Sequence, residues 1–299
     1  MTRTLTVDEA GGAGGPRLDA FLAAALAGLP RRLVRRVIAE GDVRVNGRRA
    51  AKGVRLRPGD EITLPDLPVA LAPEPALALP VLHEDAALAV IDKPGGMPAH
   101  ALDPRQRGTA AAFVLARWPE TAAVGDALAP GLIHRLDGGT SGVLVVARTS
   151  ESFTALRAAL AARSIEKRYL AVVAGTAEDT RVDTPLAHDT RDRRRMTAAK
   201  PDDRAWPAES EIRVVTPGRE RSLVAVTMRT GVTHQIRVHL ALAGHPVVND
   251  ILYGGPPADL PENRHALHAS GITLPHPIDG KLIEVESPLP EDLRALGID

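Results

Sequence analysis

The sequence predicts an α+β protein made of a small N-terminal module and a larger body. Short β-branched runs alternate along the chain with stretches whose apolar residues recur at spacings of three and four, the periodicity of helices. The charge also changes along the chain, although its net value is zero. Residues 1–64 carry 12 lysine plus arginine residues against 7 aspartate plus glutamate, and the remaining residues carry 25 against 30. A basic module before a mildly acidic body predicts that the module binds a polyanion.

The composition of the 299 residues narrows the class of protein further. The chain contains no cysteine, which excludes disulfides and thiolate metal sites and suits a reducing cytoplasm. No run of about 18 apolar residues occurs, and the N-terminus lacks a charged segment followed by an apolar one. We therefore expect a cytoplasmic protein that does not enter a membrane.

Residues 1–64 have the pattern of two helices, a hairpin and a final strand. The second helix is predicted to begin at Pro30 and to end at Gly41, which acts as its C-terminal cap. The other elements are the first helix over 17–26, the hairpin turn Asn46-Gly47 and the last strand over 61–64.

The second helix of this module has one apolar face and one strongly cationic face. A solvated helix face is the alternative interpretation of four arginines taken alone. Because further basic residues gather in the hairpin that follows, we favour a phosphate-binding surface. Its candidate residues are Arg31, Arg32, Arg35, Arg36 and Arg48.

Residues 65–80 contain five prolines among small apolar residues. Proline fixes φ and lacks an N–H donor, so this composition excludes a helix or a central strand. We expect a semi-stiff linker over 65–80 and a separate domain over 81–299.

The body is organised around residues 131–148, where polar side chains precede a strand. The run Val143–Ala147 is typical of a strand buried on both faces, and glycines mark the bend before it. Asp137 lies between the apolar residues that precede this bend and the bend itself. Alternatively, Asp137 is only a turn residue whose carboxylate caps backbone amides. However, His134 and Arg135 lie beside it, and three polar side chains are costly to bury without a purpose. This favours a site with Asp137 at its centre.

The other predicted elements of the body follow in order around this stretch. They are a strand over 88–91, a helix over 110–117, a helix N-capped by Ser150, strands over 169–173 and 222–228, and a helix from Thr233. Residues 188–207 are predicted to form a mobile basic loop, for which RNA contact and plain solvation are both open. His234 and His239 are five residues apart and have no third ligand, so we expect no metal.

The N-terminal module resembles the S4 RNA-binding domain in its order of helix, hairpin and terminal strand. The stretches that carry this resemblance are Arg17-Leu18-Asp19, the arginine helix, Gly41-Asp42-Val43-Arg44-Val45-Asn46-Gly47 and Gly59-Asp60-Glu61-Ile62. The resemblance implies that the module binds structured RNA.

The body resembles the RluA-type RNA pseudouridine synthases in several long motifs. The main ones are Asp92-Lys93-Pro94-Gly95-Gly96, His134-Arg135-Leu136-Asp137 with Thr140-Ser141-Gly142, and Thr230-Gly231 with Thr233-His234-Gln235-Ile236-Arg237-Val238-His239-Leu240. The resemblance implies a mixed, largely antiparallel sheet with a cleft across its middle. It also implies the isomerisation of uridine to pseudouridine in RNA without a cofactor.

The same resemblance assigns roles to four residues of the body. Asp137 would attack the target uridine or take a proton from its ribose, and Arg237 would form an ion pair with it. Tyr169, which from its position alone is a core or interface aromatic, would pack on the flipped base. Arg135 would fill the gap that the flipped nucleotide leaves in its stack.

The sequence departs from the family pattern at two places. Gly138 and Gly139 stand where a charged pair is usual, and Val232 stands where arginine is usual. We expect these losses to weaken local RNA or loop contacts without removing a chemically active group.

The S4-like module favours large-subunit ribosomal RNA as the substrate. The alternatives are a transfer RNA substrate, or an inactive RNA-binding factor that assists ribosome assembly. Retention of Asp137, Tyr169 and Arg237 argues against an inactive factor. We expect the protein to act as a monomer.

Overall fold

In the computed structural model, the chain forms two compact units. The structure describes residues 2–8, 15–26, 29, 31–51, 53–68 and 70–297. The first unit contains Met1–Ala72 with Ala101–Arg107, and the second contains Pro73–His100 with Gly108–Asp299. The proline-rich stretch 65–80 is therefore divided between the two units.

The first unit combines two helices with a four-stranded antiparallel sheet. The helices are α1 (Leu18–Ala25) and α2 (Arg31–Glu40), and the strands are β1 (Thr2–Thr6), β2 (Arg44–Val45), β3 (Arg48–Arg49) and β4 (Glu61–Pro65). The sheet has the order β1-β4-β2-β3. The apolar stripe of α2 is buried in the core of this unit, as its periodicity predicts.

Local turn chemistry determines where these elements end. Asn46 and Gly47 both have positive φ, at 49° and 76°, which the tight turn between β2 and β3 requires. Gly41 follows α2 with φ of 80°, the conformation typical of a glycine C-cap. Both turn predictions are confirmed, while Pro30, expected to open α2, lies outside the described residues.

The second unit is built on a nine-stranded sheet with the order β11-β14-β15-β10-β16-β9-β6-β5, in which β17 also pairs with β16. Its strands are β5 (Val81–Glu84), β6 (Leu88–Lys93), β9 (Ser141–Ala147), β10 (Glu166–Ala174), β11 (Thr180–Val182), β14 (Ser210–Thr216), β15 (Arg221–Met228), β16 (Leu267–Pro275) and β17 (Leu282–Glu286). The pairing of β16 with β9 is parallel, and the other neighbours are antiparallel. The expected α+β architecture with a mixed, largely antiparallel sheet is confirmed.

Helices and two small hairpin sheets surround this sheet. The helices are α3 (Ala110–Arg117), α4 (Ser150–Ala161), α5 (Gln235–Leu242) and α6 (Glu291–Arg294), with short 3-10 turns at Pro119–Ala123 and Ile251–Tyr253. The small sheets pair β7 (Gly125–Asp126) with β8 (Ala129–Pro130), and β12 (Leu186–His188) with β13 (Met196–Ala198).

Three local predictions need correction. Thr149, not Ser150, caps α4, because the Thr149 hydroxyl accepts the backbone N–H of Ser152 at 3.2 Å. Helix α5 begins at Gln235 and not at Thr233, because His234 adopts a left-handed conformation with φ of 56°. The basic stretch 188–207 is not loop throughout, since β13 lies within it and pairs with β12.

Candidate active site

Asp137 and Arg237 are joined by an ion pair, although 100 residues separate them in the sequence. Asp137 lies in the loop that leads into β9, and Arg237 projects from α5. Nη1 of Arg237 donates to Oδ2 of Asp137 at 2.8 Å. The contact that the family resemblance implied is present.

Asp250 anchors the same arginine from the other side. Nε and Nη2 of Arg237 donate to Oδ2 and Oδ1 of Asp250 at 2.6 and 2.8 Å. The Asp250 side chain is 1% exposed and that of Arg237 is 9% exposed, so this pair is held rigidly in the interior. Asp250 could not be recognised from the sequence, because an isolated aspartate carries no sign of its distant partner.

The charges around Asp137 keep its carboxylate ionised. Burial opposes ionisation, but the imidazole of His234 and the guanidinium of Arg237 stabilise the charged form and outweigh it, so the pKa of Asp137 lies below its ordinary value. Burial likewise disfavours the charge on Arg237, and the carboxylates of Asp250 and Asp137 overcome it and raise the pKa of Arg237. The carboxylate is therefore ready to act as a nucleophile or a base.

His234 provides a second nitrogen near the same carboxylate. Its Nε2 lies 3.8 Å from Oδ2 of Asp137, and its Nδ1 lies 2.8 Å from the hydroxyl of Tyr253. Tyr253 also packs under the guanidinium of Arg237, which lies 5.1 Å from the ring centre. The spacing of His234 from His239 raises only the question of a metal, so these contacts could not be predicted from the sequence.

Asp137, Arg237, Tyr169 and Arg135 all line one cleft of the second unit. Tyr169 projects from β10 and is 5% exposed. Burial, and then the charge of Asp137, raises the pKa of the Tyr169 phenol, so the ring stays neutral beside the carboxylate. Arg135 is exposed, and its Nη1 lies 3.4 Å from Nε2 of His100. The structure thus brings together the four body residues that the resemblance singled out.

A fully buried lysine supports the loop that carries Asp137. Lys93, at the end of β6, is 0% exposed. Its Nζ donates to the carbonyl oxygens of Pro94 at 2.9 Å, Met97 at 2.7 Å and Gly138 at 3.2 Å. Burial lowers the pKa of Lys93 to about 7. This lysine connects the turn after β6 to the residue that follows the aspartate.

Arg264 supports the same loop further along. It is 2% exposed, and its guanidinium donates to the Gly139 carbonyl at 2.7 Å, the Ser141 hydroxyl at 2.9 Å and Oδ2 of Asp292 at 2.8 Å. Arg264 could not be recognised from the sequence, because nothing in its immediate surroundings distinguishes it from a surface arginine.

The two glycines after Asp137 have different surroundings. A Cβ at Gly139 would lie 2.6 Å from Nδ1 of His265 and 2.7 Å from the Asn263 carbonyl oxygen. A Cβ at Gly138 would meet nothing within 4 Å. The neighbours of position 139 therefore exclude a side chain there, whereas position 138 has space for one.

Val232, the other departure from the family pattern, packs partly buried against a small apolar cluster. That cluster contains Met196, Val238 and Tyr253. The valine therefore contributes packing beside the site where an arginine would contribute charge.

The basic residues proposed to bind phosphate belong to the first unit, whereas the residues that line the cleft belong to the second. Arg31, Arg32, Arg35 and Arg48 are exposed. Arg36 instead forms an ion pair with Asp103, whose side chain is 1% exposed. Its charge is therefore partly committed to an internal partner.

Neither a metal site nor a membrane span is found in the part of the chain that the structure describes. No group of three or more histidine, cysteine, aspartate or glutamate side chains there could hold a metal ion. No helix there has the length and apolar character needed to cross a membrane.

Two family profiles match the chain. The profile described as "RNA pseudouridylate synthase" matches residues 87–242, and the profile described as "S4 domain" matches residues 16–62.

Curated relatives extend the similarity over nearly the whole chain. A Chloroflexus aurantiacus protein named "Uncharacterized RNA pseudouridine synthase" is 42% identical over 282 residues, covering 93% of this chain and 88% of the relative. The "Ribosomal large subunit pseudouridine synthase D" of Xanthomonas campestris pv. campestris is 37% identical over 301 residues, covering 95% of this chain and 88% of the relative. The solved structure "Human RNA Pseudouridylate Synthase Domain Containing 1" matches with a TM-score of 0.59 at 26% identity, covering 73% of this chain and 87% of that one.

The sequence motifs, the sheet and the N-terminal unit all agree with these matches. The chain therefore belongs to the RNA pseudouridylate synthase family, as an RluA-type enzyme with an S4 RNA-binding domain.

Proposed function

We propose that this pseudouridine synthase isomerises uridine with Asp137 as its chemical centre. The observation that carries the proposal is the position of the Asp137 carboxylate, which Arg237 holds in the cleft that Tyr169 also lines. A single carboxylate is sufficient for this reaction, because the departing base is also the group that rejoins the ribose. A glycosidase, by contrast, uses two carboxyl groups about 5 to 9 Å apart.

The reaction conserves every atom of the uridine. The bond between N1 and C1′ breaks, and the uracil takes the bonding electron pair. The base then turns, C5 forms the new bond to C1′, C5 gives up its proton and N1 gains one. Two routes for the first step are compatible with Asp137: attack of the carboxylate on the sugar, or removal of a proton from the ribose. In either route the ionised form of Asp137 is the active one, and its lowered pKa supplies that form at neutral pH.

We propose that Arg135 and Tyr169 handle the flipped nucleotide. Taking a base out of its stack costs a few kcal/mol, and a side chain that fills the gap offsets part of this cost. Arg135 is exposed and lines the cleft, so its side chain is able to reach into an RNA helix. Tyr169 offers a neutral ring beside the carboxylate, on which a uracil can stack.

Binding of the surrounding RNA belongs, in this proposal, to the S4 domain. Exposed arginines of α2 and of the β2–β3 hairpin present positive charge to phosphates. Arg31, Arg32, Arg35 and Arg48 are the main candidates, with a smaller contribution from Arg36.

Large-subunit ribosomal RNA is the substrate we favour. The support comes from the name of the Xanthomonas relative, which specifies the ribosomal large subunit, and from the S4 domain. Transfer RNA is the second candidate, because the cleft itself recognises a uridine and not the molecule that carries it.

The substrate is tested by mapping pseudouridine in the native organism with and without this gene, and in the deletion strain after addition of purified protein. We expect specific sites in large-subunit ribosomal RNA to lose pseudouridine on deletion and to regain it with the protein. Loss confined to transfer RNA would contradict the ribosomal assignment. Intact pseudouridine at every site, together with no conversion in vitro, would favour the inactive-factor alternative.

A further inference from the structure

A chain of polar contacts leads from the backbone of β13 to the carboxylate of Asp137. The Tyr253 hydroxyl accepts the backbone N–H of Met196 at 2.9 Å. The same hydroxyl lies 2.8 Å from Nδ1 of His234, and Nε2 of His234 lies 3.8 Å from Oδ2 of Asp137.

The surroundings of the two ring nitrogens favour one tautomer of His234 over the other. The Met196 N–H can only donate, so the Tyr253 oxygen accepts there and its own proton is free to donate to Nδ1 of His234. The neutral imidazole then carries its proton on Nε2, which faces Asp137. In the opposite arrangement, the Nε2 lone pair would face a carboxylate oxygen, and the two would repel each other.

Burial keeps the imidazole of His234 neutral near pH 7, since it lowers the pKa of His234 below its ordinary value. Asp137 and Asp250 act in the other direction. The charged or titratable groups that face His234 are Asp137, Arg237, Asp250, His188 and Tyr253.

The backbone at His234 is held in a conformation that costs energy. Its φ of 56° and ψ of 16° lie in the left-handed region, which is unfavourable for a residue with a side chain. Such a conformation persists where the surroundings impose it. Here it places the imidazole between the Tyr253 hydroxyl and Asp137.

The short segment 250–253 holds in place both side chains that approach Asp137, which are those of Arg237 and His234. Asp250 fixes Arg237, and Tyr253, three residues later, fixes His234. Both Arg237 and His234 approach Oδ2 of Asp137.

We propose that His234 is a positioning residue, which presents an Nε2 proton to Oδ2 of Asp137, and that Tyr253 fixes the tautomer of His234. The proposal rests on the catalytic role of Asp137 stated above. A separation of 3.8 Å exceeds a hydrogen bond, and such contacts in unliganded enzymes tighten when the substrate binds.

The tautomer is tested directly by long-range ¹H–¹⁵N NMR of the full-length protein. The signals of His234 are assigned from their loss in His234→Asn, because asparagine tolerates the left-handed backbone. We expect the wild type to show the Nε2–H tautomer, and Tyr253→Phe to show a mixture of both tautomers. Arg195→Gln is the matched control: it removes the cation over the Tyr253 ring at 5.4 Å but keeps the hydroxyl, so the tautomer should not change.

Single-turnover assays complete the test. We expect Tyr253→Phe to slow pseudouridine formation about 10-fold to 100-fold while RNA affinity stays the same. An Nδ1–H tautomer in the wild type would overturn the proposal. So would a Tyr253→Phe variant with the wild-type tautomer and rate. Failure of the catalytic role of Asp137 is detected separately, since it would appear as an active Asp137→Ala variant and would leave the wild-type NMR result unchanged.

Discussion

Arg237 and Asp250 form a two-point ion pair, in which Nε and Nη2 of the arginine donate to the two carboxylate oxygens over 2.6 and 2.8 Å. This leaves Nη1 to reach Asp137 at 2.8 Å. The planar fork of the guanidinium therefore serves two carboxylates in fixed directions, which a lysine ammonium cannot do.

Replacement of Arg237 by lysine keeps the charge but removes this fork. We expect Arg237→Lys to lower the single-turnover rate of pseudouridine formation at least about 100-fold, a loss typical of a removed electrostatic partner at a reacting group. Asp250→Asn, which keeps the shape of the anchor, should cost less, on the order of 10-fold. An Arg237→Lys enzyme that works at the wild-type rate would show that the two-point geometry is unimportant.

The glycine pair after Asp137 offers a matched comparison. Gly139→Ala would press a Cβ against His265 and the Asn263 carbonyl, and we expect it to lower the free energy of unfolding by about 1 to 3 kcal/mol and to reduce activity. Gly138→Ala meets open space and should change stability by less than about 0.5 kcal/mol. Urea unfolding of both variants measures the difference, and equal effects would contradict the distinction.

Much of the fold was predictable because it follows from local patterns. The buried run of β9, the apolar stripe of α2 and the Asn46-Gly47 turn each depend on residues that are close in sequence. Thr149 was missed as a cap because Ser150 beside it has the higher intrinsic preference for the N-cap, and only the structure shows which hydroxyl accepts the bond.

The candidate site was predictable only in part, because many of its contacts join residues that are far apart in the sequence. Asp137, Tyr169 and Arg237 belong to long motifs. The side chains that hold these residues in place act from other segments of the chain. Arg264, for example, contacts Gly139, and Tyr253 contacts His234. Sequence spacing carries no information about such pairs.

The S4 domain leads to a prediction about salt dependence. Replacing Arg31, Arg32 and Arg35 together by glutamine should weaken RNA binding and reduce the slope of log K against log salt by about 2 to 3, if each arginine contacts one phosphate. Filter binding at several salt concentrations measures this slope. A variant with three exposed arginines of the second unit replaced, Arg163, Arg219 and Arg294, matches the change in net charge. Equal affinities and slopes in both variants would mean that the helix is merely solvated.

Arg36 should behave differently from its neighbours on α2. Its partner Asp103 is buried, so Arg36→Gln removes the nearer of two ion-pair partners and leaves Arg105, whose Nε lies 3.6 Å from Oδ1 of Asp103. We expect a loss of about 1 to 3 kcal/mol in the free energy of unfolding and a smaller change in the salt slope. An Arg36→Gln variant as stable as the wild type would show that the ion pair contributes little.

The buried His265 should make the free energy of unfolding depend on pH. Burial lowers its pKa to about 3, whereas in the unfolded chain it takes up a proton near pH 6.5. Between these values the unfolded chain binds one more proton at this residue, so the free energy of unfolding falls as pH falls, by about 1.4 kcal/mol per pH unit. Above pH 6.5 His265 is neutral in both states, so it does not make the free energy of unfolding depend on pH.

Replacement by glutamine removes this titration. We expect His265→Gln to lose less stability than the wild type between pH 6 and pH 4, by about 1.4 kcal/mol for each pH unit. Urea unfolding at pH 7, 6, 5 and 4 measures both slopes. Parallel slopes would show that His265 is protonated in the folded protein.

The central claim is that the Asp137 carboxylate performs the chemistry, and single-turnover conversion of ribosomal RNA by Asp137 variants tests it most directly. Asp137→Asn keeps the shape of the side chain, and Asp137→Ala is measured beside it because an asparagine followed by Gly138 can deamidate to aspartate. We predict no detectable pseudouridine from either variant, with RNA affinity within about 2-fold of the wild type, since the exposed phosphate-binding arginines are unchanged. Conversion by Asp137→Ala at a rate within about 10-fold of the wild type would contradict the account.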